Sequence, residues 1–116
     1  MGFLTTHVLD TSSGKPGADI LVELYRLEEQ RLLITTIHTN SEGRCDQPLL
    51  ADENFRTGEY ELVFHAGDYF SSRGENLTSP PFLDQVVIRF GIASPNQHYH
   101  VPLLISPYGY STYRGS

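Results

Sequence analysis

Short segments in which apolar and polar residues alternate with a period of two constrain this fold most strongly. Over residues 18–27, for example, Ile20, Val22 and Leu24 occupy every second position. Such alternation places the apolar side chains on one face of a β-strand. It recurs along the chain, together with runs rich in β-branched residues, which favour strands. We predict strands over residues 5–10, 18–27, 32–39, 60–65, 86–91, 98–106 and 108–113.

Only residues 66–76 have the composition of a helix, and Gly67 and Gly74 should keep that helix short. Turn residues separate the predicted strands, as in the hairpin connection 28–30 and at Pro107. Many short strands with at most one helix predict an antiparallel β-sandwich. At 116 residues, with no internal repeat or linker, we expect residues 1–116 to form a single domain.

Charge and cysteine content narrow the functional classes. The net charge is −6, and the eight Lys and Arg residues are not clustered, which argues against nucleic acid and anionic membranes as partners. Cys45 is the only cysteine, so no intrachain disulfide can form, and nothing beside it predicts a reactive thiol. We found no secretory signal and no apolar run of membrane-spanning length, and we expect a cytoplasmic protein.

Five histidines are the candidates for proton transfer near neutral pH: His7, His38, His65, His98 and His100. His38 and His65 fall near strand ends and are predicted to be structural or solvent-facing. His98 and His100 are two apart on a predicted strand and should share one face. That pair could bind a metal with His7 as third ligand, could serve in acid–base catalysis, or could simply line a polar sheet face. Spacing leaves these alternatives open.

Arg44 follows the turn-like residues 41–43 and should project from the start of a strand. An isolated arginine such as Arg44 or Arg114 is commonly only a member of a surface ion pair. Sequence spacing alone does not bring His7, Arg44 and His100 together.

Four segments nevertheless resemble one family closely. They are Thr-His-Val-Leu-Asp at 6–10, Gly-Lys-Pro-Gly at 14–17, Thr-Asn-Ser-Glu-Gly-Arg at 39–44, and the run 98–116 that ends in Tyr-Arg-Gly-Ser. The chain resembles the transthyretin-like 5-hydroxyisourate hydrolases of urate degradation. The carrier transthyretin shares the fold and the core of the last segment, but it lacks the histidines, the arginine and the Tyr-Arg-Gly-Ser end.

The resemblance implies an all-β, transthyretin-like sandwich of eight strands with one short helix, assembled as a homotetramer. Two dimers would pack face to face around a channel that holds the active sites. His7, Arg44 and His100 match the family's catalytic residues, and no metal or organic cofactor is implied. His98 would lie at the rim. The substrate-binding residues implied by the resemblance are His7, Arg44, Tyr113, Arg114, Gly115 and Ser116.

The implied reaction is hydrolysis of 5-hydroxyisourate to 2-oxo-4-hydroxy-4-carboxy-5-ureidoimidazoline. His7 and His100 would position and activate a water molecule, one of them as base, and which one is left open. Arg44 would hold the substrate, stabilise the oxyanion and lower the histidine pKa values by charge repulsion. Two alternatives are a transthyretin-type protein that binds small ligands without catalysis and a structural sandwich without a channel.

Overall fold

Two β-sheets packed face to face and one short helix make up the computed structural model, which describes residues 2–115. Among these residues no helix is long and apolar enough to cross a bilayer. A 3₁₀ turn at Asp52–Asn54 follows the fifth strand. The elements are β1 Phe3–Asp10, β2 Lys15–Pro16, β3 Leu21–Leu27, β4 Arg31–His38, β5 Leu50–Ala51, β6 Gly58–His65, α1 Ala66–Ser72, β7 Gln85–Ile92, β8 Tyr99–Ser106 and β9 Gly109–Thr112.

The first sheet has five strands in the order β2-β1-β8-β9, with β5 also paired to β1, and the second has four in the order β4-β3-β6-β7. The predicted antiparallel β-sandwich is confirmed, with two sheets whose strands are mainly antiparallel. One pair departs from it, because β1 and β8 run parallel. Their register sets Thr5 opposite His100 and His7 opposite Pro102. The parallel pair therefore joins two predicted catalytic histidines in one sheet.

Alternation along the strands explains which side chains form the core. On β1, Leu4 and Val8 have no exposed surface, whereas Thr5 and His7 point the other way and are half-buried. Burial of the inward set removes apolar surface from water and holds the two sheets together. The same alternation places Thr5 and His7 of β1 and His100 of β8 on the outer face of the five-stranded sheet. The largest fully buried side chains are Tyr60, Phe64, Phe70, Leu4, Ile20, Leu24, Leu62, Leu103 and Ile105.

The structure differs from the sequence expectation in element number and bounds. Its described residues form nine strand segments, where the sequence pattern predicted seven and the resemblance implied eight. The two segments that the pattern missed, β2 and β5, are two residues long and too short to show a period. The strand predicted from residue 18 begins at Leu21, since Asp19 has a φ of 59°, outside the strand region. The helix falls within the predicted 66–76, and a φ of +83° at Gly74 follows its end.

Thr39 fastens the loop that leaves β4 toward Arg44. Its buried hydroxyl accepts a hydrogen bond from the Ile20 amide (2.9 Å) and donates to the Gly17 carbonyl (2.6 Å). Its backbone groups bond Ile20 and Asp19, each at 2.9 Å. Thr39 is thus fully hydrogen-bonded in a site closed to water, which fixes where the following loop begins.

Thr39→Val should lower the free energy of unfolding by about 1–3 kcal/mol, because it keeps the shape but leaves a buried amide and a buried carbonyl without the hydroxyl. Thr39→Ser retains both hydrogen bonds and is the matched control, with a smaller loss. Chemical denaturation of the two variants measures the difference. Equal stability of Thr39→Val and wild type would contradict this role.

Candidate active site

Two predicted catalytic histidines project from neighbouring strands of the same sheet face. His7 lies on β1 and His100 on β8, and both side chains are half-buried on the outer face of the five-stranded sheet. The parallel register offsets them by two residues along the strands, since Thr5 faces His100 directly. The sheet therefore brings together two residues that are more than ninety positions apart in the chain.

The third residue, Arg44, reaches this face on a tight turn built by Asn40. The Asn40 side-chain oxygen accepts hydrogen bonds from the amides of Glu42 (2.9 Å) and Arg44 (3.0 Å). The backbone amide of Asn40 donates a hydrogen bond to the backbone carbonyl of Arg44 at 2.8 Å. An Asn side chain suits this task because it can mimic a backbone turn. Arg44 forms an isolated bridge with His7. The prediction that Arg44 lies at the start of a strand is therefore wrong.

Gly43 lets this turn sit directly against β1. Its φ is +77°, a region that glycine adopts freely, and its carbonyl accepts a hydrogen bond from the Val8 amide at 2.8 Å. A Cβ atom at this position would collide with the Val8 carbonyl oxygen. Glycine is thus required both by the backbone conformation and by the close approach that places Arg44 beside His7.

His7 is held by a contact that fixes its tautomer. Its Nε2 atom lies 3.1 Å from the carbonyl oxygen of Glu42, and a carbonyl can only accept a hydrogen bond. Nε2 therefore carries the proton, and in the neutral ring Nδ1 is left with a lone pair. The turn that positions Arg44 thus also orients His7 with a basic nitrogen available.

His100 is held from two sides. Its Nδ1 atom is hydrogen-bonded to the Thr5 hydroxyl at 2.8 Å, and its carbonyl accepts the Gly115 amide at 2.8 Å. A Cβ at Gly115 would lie 2.6 Å from the Cδ2 atom of the imidazole, so glycine is needed there for the ring to keep its place. Gly115, a residue of the predicted tail, is therefore packed against a predicted catalytic side chain.

Both histidines have lowered pKa values, which keeps them neutral near pH 7. Burial is the main cause for His7, followed by the Arg44 cation, while Glu42 opposes the shift. Burial also lowers the pKa of His100, and Arg44 and then His7 lower it further, while a hydrogen bond with the Thr5 backbone has a smaller, opposing effect. The five ion pairs found among residues 2–115 do not include Arg44, whose side chain is exposed. A cation beside two neutral imidazoles is thus accessible from solvent.

Of the other predicted tail residues, two lie on the opposite side of β8 from the His100 side chain, and one is outside the described residues. Tyr113 and Arg114 line a cavity of ≈ 260 Å³ with Tyr99 and Val101, which alternate with His100 along β8 and face the opposite side. The Arg114 guanidinium stands 4.1 Å from the centre of the Tyr99 ring. The structure brings neither of these two side chains to His7. Ser116 lies outside the described residues.

The remaining candidates take structural positions. His98 precedes β8, so it lies outside the strand on which it was predicted. Its ring stacks on the ring of Phe3, with the two ring centres 3.7 Å apart. His65 bonds the Glu23 carboxylate at 2.8 Å. Burial raises the pKa of the Cys45 thiol to about 11, which makes a thiolate nucleophile unfavourable. Within residues 2–115, no three His, Cys, Asp or Glu side chains come close enough to hold a metal ion.

Sequence reasoning gave no positioning role to the residues that hold the three side chains, although three of them fall in the family-like segment 39–44: Thr5, Asn40, Glu42 and Gly43. Alternation along β1 could have revealed Thr5, which shares a face with His7. The Asn40 and Gly43 contacts depend on how the loop folds onto β1, which no local pattern encodes.

Comparison with known proteins gives consistent matches over the whole chain. A model of the HIUase/Transthyretin family matches residues 4–115. A 5-hydroxyisourate hydrolase of Pseudomonas aeruginosa is 67% identical over 100% of this chain and 93% of its own. A crystal structure of (S)-allantoin synthase matches with a TM-score of 0.94 and 47% identity over 99% of this chain, which spans 44% of that longer one. Sea bream transthyretin in complex with thyroxine matches with a TM-score of 0.86 and 25% identity, covering 97% of this chain and 93% of that one.

Gly43→Ala should destabilise the fold and separate Arg44 from His7. A positive φ costs an alanine about 1–2 kcal/mol, and the collision with Val8 adds to that. Gly14→Ala is the matched control, since Gly14 has a similar φ of +72° but no atom within 4 Å of a Cβ. Denaturation and an NMR titration of His7 measure both effects. We expect a larger stability loss and a higher His7 pKa in Gly43→Ala alone, and identical behaviour of the two variants would contradict the close-approach role.

Proposed function

The chain belongs to the HIUase/Transthyretin family, and from that premise we propose that it is a hydrolase that opens the six-membered ring of 5-hydroxyisourate. The product is 2-oxo-4-hydroxy-4-carboxy-5-ureidoimidazoline. The observation that carries the proposal is the convergence of His7, Arg44 and His100 on one accessible sheet face. The identity of 67% to a 5-hydroxyisourate hydrolase over the full chain supports the choice of substrate.

His7 acts as the general base in this proposal. Its Nδ1 lone pair is available because Nε2–H is bound to the Glu42 carbonyl, and its lowered pKa keeps the ring neutral. Nδ1 takes a proton from water as the water oxygen bonds to the ring carbonyl carbon. When the carbon–nitrogen bond breaks, the His7 imidazolium returns that proton to the leaving nitrogen. One residue thus serves as base and then as acid, as histidine does in serine proteases.

Arg44 stabilises the negative charge that forms on the carbonyl oxygen. Its guanidinium is always charged, presents a planar fork of donors and is exposed beside both imidazoles. A cation already fixed where charge develops needs no reorganisation during the reaction. The same cation suppresses protonation of His7, so one residue supports two parts of the mechanism.

The assembly and the tail complete the proposal. The outer face that carries His7 also exposes Leu9 (36 %), and packing two such faces against each other in a homotetramer would enclose the site. Gly115 backs His100, and contacts of Tyr113, Arg114 and Ser116 with substrate remain predictions. A cytoplasmic location likewise remains a prediction.

A transthyretin-type binder of small ligands is the second candidate, favoured by the likeness to the thyroxine complex of sea bream transthyretin. A binder would use Arg44 and the sheet face without proton transfer. It would show saturable binding and no accelerated decay of 5-hydroxyisourate. Spectroscopic decay of freshly generated 5-hydroxyisourate, with and without the protein, separates the two functions.

His7→Ala, Arg44→Ala and His100→Ala should each slow the catalysed ring opening. Loss of a general base costs about 10²–10⁴-fold and loss of an oxyanion donor about 10²–10³-fold. His38→Ala is the control, because His38 is exposed at the end of β4 in the other sheet and should leave the rate unchanged. Full activity in any one of the first three variants would remove that residue from the mechanism.

The pH dependence of kcat/KM tests the role of the Arg44 charge. Activity requires neutral His7, so it should rise with pH through a His7 pKa that lies below 6.5 and be level at neutral pH. Arg44→Gln removes a cation that lowers this pKa, so the rising limb should move to higher pH. Arg44→Lys keeps the charge, so it should lower kcat without moving the limb. A limb that moves equally in both variants would contradict the electrostatic role.

A further inference from the structure

We propose that Thr5 is a positioning residue, which holds His100 as the tautomer with its proton on Nε2 and so makes His100 a hydrogen-bond donor to the substrate. This inference rests on the proposed hydrolase function and assigns the role of its second histidine. The Thr5 hydroxyl lies 2.8 Å from the His100 Nδ1 atom, and the two residues are direct partners in the β1–β8 register. The contact is therefore built into the sheet and does not depend on a mobile loop.

The direction of this hydrogen bond decides the tautomer. A hydroxyl can donate or accept, but the imidazole is the hydrogen-bond partner found for the Thr5 hydroxyl among residues 2–115. A half-buried hydroxyl that donates its proton satisfies both groups, because neutral imidazole has one nitrogen with a lone pair. Donation to Nδ1 places the ring proton on Nε2.

Gly115 holds the opposite edge of the ring. Its amide is bonded to the His100 carbonyl, and its missing Cβ leaves just enough space for the Cδ2 atom. A flipped imidazole would lose the Thr5 hydrogen bond. Because Nδ1 is occupied by Thr5, the nitrogen that remains for a substrate is Nε2.

The charges around His100 favour the neutral imidazole, which carries a single ring proton, so the tautomer decides which nitrogen can donate. Arg44 and His7 are the titratable groups that act on it, and both disfavour a positive imidazolium. A neutral ring with Nε2–H can donate a hydrogen bond to the carbonyl oxygen as it becomes negative, without giving its proton away. His100 then assists Arg44, while the proton taken from water is carried by His7 alone.

The two histidines thus differ in the group that fixes each of them. A carbonyl, which can only accept, binds Nε2 of His7 and leaves Nδ1 basic. A hydroxyl binds Nδ1 of His100 and leaves Nε2–H as a donor. Two side chains of the same type are given opposite roles by their partners, which resolves the choice that the sequence left open.

Nitrogen–proton correlation NMR on the ¹⁵N-labelled wild-type protein near neutral pH tests the tautomers directly. We expect His100 to carry its proton on Nε2 and His7 to do the same, with both Nδ1 atoms unprotonated. A His100 proton on Nδ1 would overturn the proposal. This measurement needs no substrate, so it stands even if the hydrolase assay fails, and the two failures are distinguishable.

Thr5→Val and Thr5→Ser test the consequence for catalysis. Valine matches threonine in shape but lacks the hydroxyl, so we expect a mixture of His100 tautomers and a kcat lower by about tenfold, with KM nearly unchanged. Serine keeps the hydroxyl and should restore both the tautomer and kcat. A Thr5→Val protein with wild-type kcat and a single Nε2–H tautomer would overturn the proposal.

Thr6→Val is the matched control for a purely structural effect. The neighbouring Thr6 hydroxyl is buried on the inner face and donates to the Val101 carbonyl at 2.7 Å. Its loss should lower stability but leave the His100 tautomer as in wild type. If Thr6→Val changes the tautomer and kcat as Thr5→Val does, the effect comes from weakened β1–β8 pairing and the proposal fails.

Discussion

The parallel pairing of β1 with β8 is the interaction on which the site depends. It joins seven residues of each strand in continuous register, and its position determines which polar side chains become neighbours. Because side chains alternate along a strand, a shift of one residue would turn His100 into the core and bring an apolar residue out. The inward residues of both strands are buried, and Leu4 and Leu103 have no exposed surface, so burial strongly disfavours such a shift. The hydrophobic core thus fixes the arrangement of the polar outer face.

A second constraint is the turn that follows β4, which contributes charge to a face made of strands. Asn40 shapes this turn, Gly43 brings it against β1, and Arg44 then lies beside both imidazoles. Since the turn also supplies the Glu42 carbonyl to His7, it sets the position of the cation and the tautomer of one histidine together. Displacing the turn would therefore alter several properties of the site at once.

The local sequence pattern predicted much of the fold but little of the geometry of the site. Period-two alternation predicted the long strands and the sandwich because it reflects burial of one face, a property of each segment alone. It did not predict the two-residue strands β2 and β5, or that Arg44 forms a single bridge. Pairing of β1 with β8 joins distant parts of the chain, so family resemblance was needed to group the three residues of the site. That resemblance named Tyr113 and Arg114 as well, and only the structure located them beside Tyr99.

Two successive residues of the tail, Arg114 and Gly115, contact β8 from its two sides. Arg114 rests on the ring of Tyr99 and bonds the His98 carbonyl, whereas Gly115 lies against the imidazole of His100 on the other side. Two adjacent residues of the tail therefore contact opposite surfaces of the strand. A single peptide bond thus separates the residue that lines the cavity beside Tyr99 from the residue that packs against the His100 imidazole. The tail therefore links residues on the two surfaces of β8 across the thickness of one sheet.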